Sequence, residues 1–140
     1  MQLIRIIHQR HYDKNRGRFQ SLAFKPSSNG GISVVCHQCA MDSTGAICEH
    51  IHGYYSHVSG SPPVFWIFDT SILPRAHVID DTPSDSGDYC HRDIKNITPR
   101  ESERTFKDNA SFPSSFQICE PCGGRRTLTK DDLETEVSGL

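Results

Sequence analysis

The chain has no uninterrupted apolar run of the ~18 residues that a membrane-crossing helix needs, so a spanning segment is not expected. Its first ten residues, MQLIRIIHQR, are too short and too soon charged to act as an export signal. No GxGxxG, phosphate-loop, GxSxG or HExxH motif occurs, so no standard catalytic frame is announced. Internal repeats and long linkers are missing too, and one domain over 1–140 is expected, with 130–140 as a loose acidic tail. Apolar residues are scarce at 35% of 140 residues, and a chain so supplied gains from a metal or disulfide staple.

What is present is cysteine: six of them, four in CxxC pairs. Without an export signal, reduced thiols or metal ligands in a cytoplasmic protein are expected rather than a disulfide framework. CHQC (Cys36 and Cys39) and CEPCGG (Cys119 and Cys122) together make a complete four-thiolate set for structural zinc. A local rival is Cys36, Cys39, Cys48 and His52, which leaves Cys119 and Cys122 to pair with Cys90 and His91 in a second site. Unmetallated, part-buried thiols are the remaining reading. A thioredoxin-like role is disfavoured because neither CxxC is expected between a strand and a helix in a clear βαβ unit. His37, His50 and His57 read as surface residues.

Charge is uneven although the net value is only −2. Residues 1–25 hold six Lys or Arg against Asp13, whereas residues 26–91 hold seven acids against Arg75. Arg5, His8, Arg10 and His11 are candidate anion contacts, and Tyr12, Ser21, Lys25 and His91 are candidate catalytic groups beside them. An ordinary solvated basic face explains the same cluster. The end Gly123–Arg126 is a further candidate nucleic-acid contact, with the acidic net charge against broad binding.

The elements read as α+β: a small mixed, largely antiparallel sheet with two short helices and a CxxC/CxxC zinc-knuckle staple. Strands are expected at 3–7, 19–24, 32–35, 64–68, 76–79 and 89–94. The second and third of these read as a hairpin across the turn at 26–31. One helix is expected from Ser43 or Thr44 to Val58, with Ile47, Ile51, Tyr54 and Val58 on one face. A second starts at Thr98, with Pro99 in the first helical position and Glu101 closing a capping box. Residues 59–63 and 82–88 read as a helix break and a polar loop, and 111–118 as extended chain.

Residues 11–35 and 62–98 together resemble an uncharacterised family of small bacterial proteins. The matching positions are Tyr12, Ser21, Ala23, Phe24, Lys25, Gly31, Ser33, Val34 and His91. The resemblance spans 11–98, about two thirds of the chain, and implies organisation rather than an activity. A weaker likeness is to HNH nucleases, through Cys36–Cys39, Glu49-His50-Ile51, Cys119–Cys122 and the basic Arg125-Arg126-Thr127. That likeness implies zinc in the knuckles and His50 as general base. Glu49 stands where the family has Asp, and Gly123 and Gly124 replace its later metal ligands. The sequence therefore supports a zinc-stapled intracellular binding or interaction module of unknown partner. The alternative is an enzyme acting on a phosphate-bearing nucleotide or nucleic acid.

Overall fold

Six residues of alternating outlook, Gln2–Ile7, form β1, which lies at the middle of the sheet. The computed structural model describes residues 1–27, 31–59, 63–81, 87–120 and 123–133. β1 is flanked by β4 (Ile32–Cys36) and β5 (Val64–Asp69). Outside them lie β7 (His91–Ile94) and β8 (Phe116–Cys119), then β6 (Ile79–Asp81) and β9 (Arg125–Thr127) at the edges. The order is β6-β7-β4-β1-β5-β8-β9, and every pairing is antiparallel. The sheet is thus larger than expected and not mixed. β2 (Tyr12–Asp13) and β3 (Arg18–Phe19) make a separate small hairpin.

The period of two along each strand sorts side chains between two cores. Leu3, Ile7, Ile32, Val34, Val64, Trp66, Ile94, Phe116 and Ile118 face one core. There they meet Phe24, Phe106 and the small hairpin's Tyr12 and Phe19. Ile4, Val35, Phe65 and Cys119 face the other core, against Ala40, Ile47, Cys48, Ile51 and Tyr55. Those five come from α1 (His37–Thr44) and α2 (Ile47–Ser59). The sheet is therefore covered on both faces.

Several expected elements move. CHQC is not a free-standing knuckle, because β4 ends on Cys36 and α1 begins at His37. Cys36–Cys39 does lie between a strand and a helix, but β4 pairs antiparallel with both neighbours, so no βαβ unit frames it. The single helix becomes two because Gly45 ends α1 at φ 77°, a left-handed value that suits glycine. Residues 19–24 hold the end of β3 and a 3-10 turn, Ser21–Phe24, whose Phe24 is fully buried. The hairpin expected between that region and β4 is absent, since β4 pairs with β1 and β7. The turn residues 28–30 lie outside the described residues, as do 60–62, 82–86 and the tail from 134. Before them, Leu133 is buried in the first core, so the segment after Lys130 is not wholly loose.

Two expectations hold closely. VFWIF is an interior strand, as its apolar run implies. The third helix, α3 (Pro99–Asn109), begins with Thr98 accepting from the Glu101 N–H while Glu101 accepts from the Thr98 N–H. Ser102 of α3 donates to the Phe24 carbonyl and fastens the helix to the 3-10 turn.

Candidate functional site

The cysteines pair crosswise. Cys39, in the first turn of α1, is bonded to Cys90, and Cys48 of α2 is bonded to Cys119 at the end of β8. Their Cα separations of 5.3 and 5.5 Å suit disulfides. Both bonds fasten the α1–α2 layer to the sheet. The expected staple of Cys36, Cys39, Cys119 and Cys122 is replaced by these links: Cys39 and Cys119 have other partners, and Cys36 is a buried thiol. Cys122 lies outside the described residues. The local Cys48–His52 arrangement is likewise not formed, because Cys48 is bonded to Cys119 and His52 points to solvent. Spacing misled here because CxxC is a local signal, whereas these bonds join residues 51 and 71 positions apart.

Beside the Cys39–Cys90 link sits a buried polar network that sequence reasoning missed. His50 of α2 is 1% exposed and Asp88, in the segment before β7, is 0% exposed. His50 Nε2 lies 3.0 Å from Asp88 Oδ1, and the Tyr55 hydroxyl donates to Asp88 Oδ2. The Cys90 N–H also donates to Oδ1, at 2.8 Å. Burial by itself would push the Asp88 carboxyl up, yet the bonds from His50, Tyr55 and Cys90 hold it below the ordinary value. His50 follows Ile47 by three residues and shares its buried face, which is the signal that would have removed it from the surface. Asp88 gave no such signal, since it lies beyond a polar loop.

The expected catalytic group is not assembled. Tyr12 packs on Phe19 and Phe112 in the first core. His91 sits opposite Val35 in the register, on the other side of the sheet, where its Nε2 shares a 2.6 Å hydrogen bond with Ser33 Oγ. A cleft holding Tyr12 and His91 together is therefore ruled out. Lys25 is exposed beyond the 3-10 turn. Ser21 is exposed and lines a different cleft.

The anion candidates divide. Arg5 bonds the Ala23 carbonyl at 3.1 Å and the Ser33 carbonyl at 2.8 Å, and burial lowers its pKa to about 10. It ties β1 to the 3-10 turn and β4. His8 Nδ1 accepts from the Arg10 N–H at 3.2 Å, and the His8 and His11 rings are 5.9 Å apart. Burial, then Arg10, lowers both imidazoles, and His8 and Arg5 add to the effect on His11. These groups do lie together, with the two imidazoles pushed toward their neutral form. At the other end Arg126 is held bidentately by Asp132, at 2.8 and 2.6 Å, which neutralises much of the proposed Gly123–Arg126 contact.

A surface cleft of about 320 Å³ opens between the β2–β3 hairpin, α3 and the 110–116 segment. The core residues Phe19, Phe106 and Phe116 reach it only at their edges and the half-buried Phe112 supplies its exposed aromatic surface, while Arg16, Arg18 and Lys107 supply positive charge. Asp13 and Glu103 also line it, but Asp13 is occupied by the Asn15 and Arg16 amides and pairs with Arg16 at 3.7 Å. Such a cleft suits a ligand with a flat apolar body and an anionic group.

The fold and clefts define the class only coarsely: an antiparallel α+β domain with two disulfide links. No family model, curated protein or solved structure matches the chain. Among the described residues, no helix is long and apolar enough to cross a membrane.

Proposed function

We propose that the protein is a binding module for a small phosphate-bearing ligand with an aromatic body, a nucleotide being the simplest. The single observation that carries this is the cleft in which four phenylalanines adjoin Arg16, Arg18 and Lys107. Phe112, the half-buried ring at the cleft, offers surface on which a base can stack, and guanidinium groups take a phosphate by paired N–H donors. This keeps the phosphate-ligand chemistry expected of the basic N-terminal segment but moves it from Tyr12 and His91 to the hairpin and α3. Ser21, Asp13 and Glu103 line the cleft, but among the described residues no hydrogen bond is seen between the Ser21 hydroxyl and either carboxylate, which favours binding over turnover. Two disulfides suit an oxidising compartment better than the cytoplasm expected from the sequence.

Titration calorimetry with AMP, adenosine and inorganic phosphate tests the reading. AMP is expected to bind more tightly than either fragment. Arg18→Gln and Lys107→Gln are each expected to weaken AMP binding about 10-fold, the value of one hydrogen bond to a charged group. Adenosine binding as tightly as AMP, or no AMP binding at millimolar concentration, would refute it.

A further inference from the structure

His50, Asp88 and Cys90 each place one metal-ligand atom within 4.8 Å of the others, and all three are buried. His50 Nε2 and Asp88 Oδ1 are 3.0 Å apart. Two ligands at ~2.0–2.1 Å from a tetrahedral zinc stand about 3.3 Å apart, so this pair is already close to the spacing of a shared ion. Cys90 Sγ is tied to Cys39 Sγ, which puts a fourth donor beside the group. His50 Nδ1 has no hydrogen-bond partner among the described residues although it is buried. When Nε2 takes a metal the ring proton moves to Nδ1, and this unpartnered nitrogen is free to carry it.

We propose that Cys39, Cys90, His50 and Asp88 form a redox-gated zinc site, closed to metal while the disulfide stands and open once it is reduced. A dithiol reductant supplies two electrons and two protons. It becomes a disulfide, and the Cys39–Cys90 bond becomes two thiols. Zinc then binds both sulfurs as thiolates, releasing two protons, and takes neutral His50 and ionised Asp88 as its other ligands. Tyr55 and the Cys90 N–H then act as outer partners that orient the carboxylate. The two states hold α1 to the segment before β7 by different bonds, so the layer stays fastened in both oxidising and reducing surroundings. This site is separate from the cleft and does not depend on what the cleft binds.

The test uses the full chain, reduced anaerobically, freed of reductant and titrated with Zn²⁺ alone. X-ray absorption of the zinc-loaded wild type is expected to show two sulfur and two nitrogen or oxygen ligands. An all-sulfur shell, or no zinc bound at micromolar concentration, overturns the proposal. His50→Ala and Cys39→Ser/Cys90→Ser are each expected to weaken zinc binding at least 10-fold, with circular dichroism confirming the fold. Cys36→Ser/Cys122→Ser is expected to bind as the wild type does, and loss of binding there would return the metal to the CxxC pairs. The oxidised chain is expected to bind at least 100-fold more weakly than the reduced one, and equal binding in the two states overturns the gate.

Discussion

Removing one hydroxyl, by Tyr55→Phe, tests whether Asp88 is held in its ionised form by its donors. The Tyr55 hydroxyl donates to Asp88 Oδ2, and both residues are buried. The ring keeps its place in the second core, so almost no packing is lost. A hydrogen bond to a charged group contributes about 1.5–3 kcal/mol, and its buried acceptor regains no water when the donor goes. A loss of about 2 kcal/mol at pH 7 is therefore expected. At about 3 °C per kcal/mol for a domain of this size, the melting temperature falls by roughly 6 °C. The pH dependence has a definite sign. Asp88 is held below its ordinary value in the folded chain, so its contribution is present above the unfolded pKa and is lost as pH falls through the folded one. Tyr55→Phe removes one of the bonds that depress that pKa. The acid limb of the stability curve therefore moves to higher pH. Urea denaturation between pH 3 and 7, wild type against variant, reads both effects. A variant within ~0.5 kcal/mol of the wild type at pH 7, with an unmoved acid limb, would refute the assignment of charge to Asp88.

Two further outcomes follow from the core and its links. Phe24 is fully buried among Trp66, Phe68 and Phe106, so Phe24→Ala is expected to cost about 3–5 kcal/mol by denaturation. The Cys48–Cys119 bond closes a loop across 71 positions, and Cys48→Ser/Cys119→Ser is expected to cost about 4 kcal/mol by loop entropy, read in urea under non-reducing conditions; stability unchanged there would place the two thiols apart in solution.

The parts of the fold that could be read in the sequence are those set by near neighbours. Thr98, Pro99 and Glu101 lie within four positions and define the start of α3 completely. VFWIF has no polar residue to offer solvent and so lies inside the sheet. Strand partners were not legible, because β4 bonds β1 and β7 through contacts remote in the chain. The split at Gly45 was hidden because a glycine inside a helical pattern weakens a helix without saying whether it ends it. The candidate sites divide in the same way. The basic character of the first quarter was visible, and three of its members do gather at His8, Arg10 and His11. The aromatic cleft was not visible, since α3 and the small hairpin meet only in three dimensions. Nor was the His50–Asp88 pair, whose members are 38 positions apart.

The strand order also carries a timetable. Read outward from β1, the sheet runs through β4 and β5, then β7 and β8, then β6 and β9. Apart from β6, each step outward uses chain that is made later. During synthesis β4, β1 and β5 are all available before residue 90 exists, and they already carry the covering helices α1 and α2. Neither disulfide can close at that stage, because each joins a helix to a residue of the second half. A nascent chain stopped near residue 80 would hold a three-stranded centre with its cysteines still unpaired. The late strands then arrive on opposite flanks, and each disulfide locks one flank, Cys90 beside β7 and Cys119 in β8. Oxidation is thus a record of progress: a molecule in which both bonds have formed has been built as far as β8, with only β9 of the sheet still to be added.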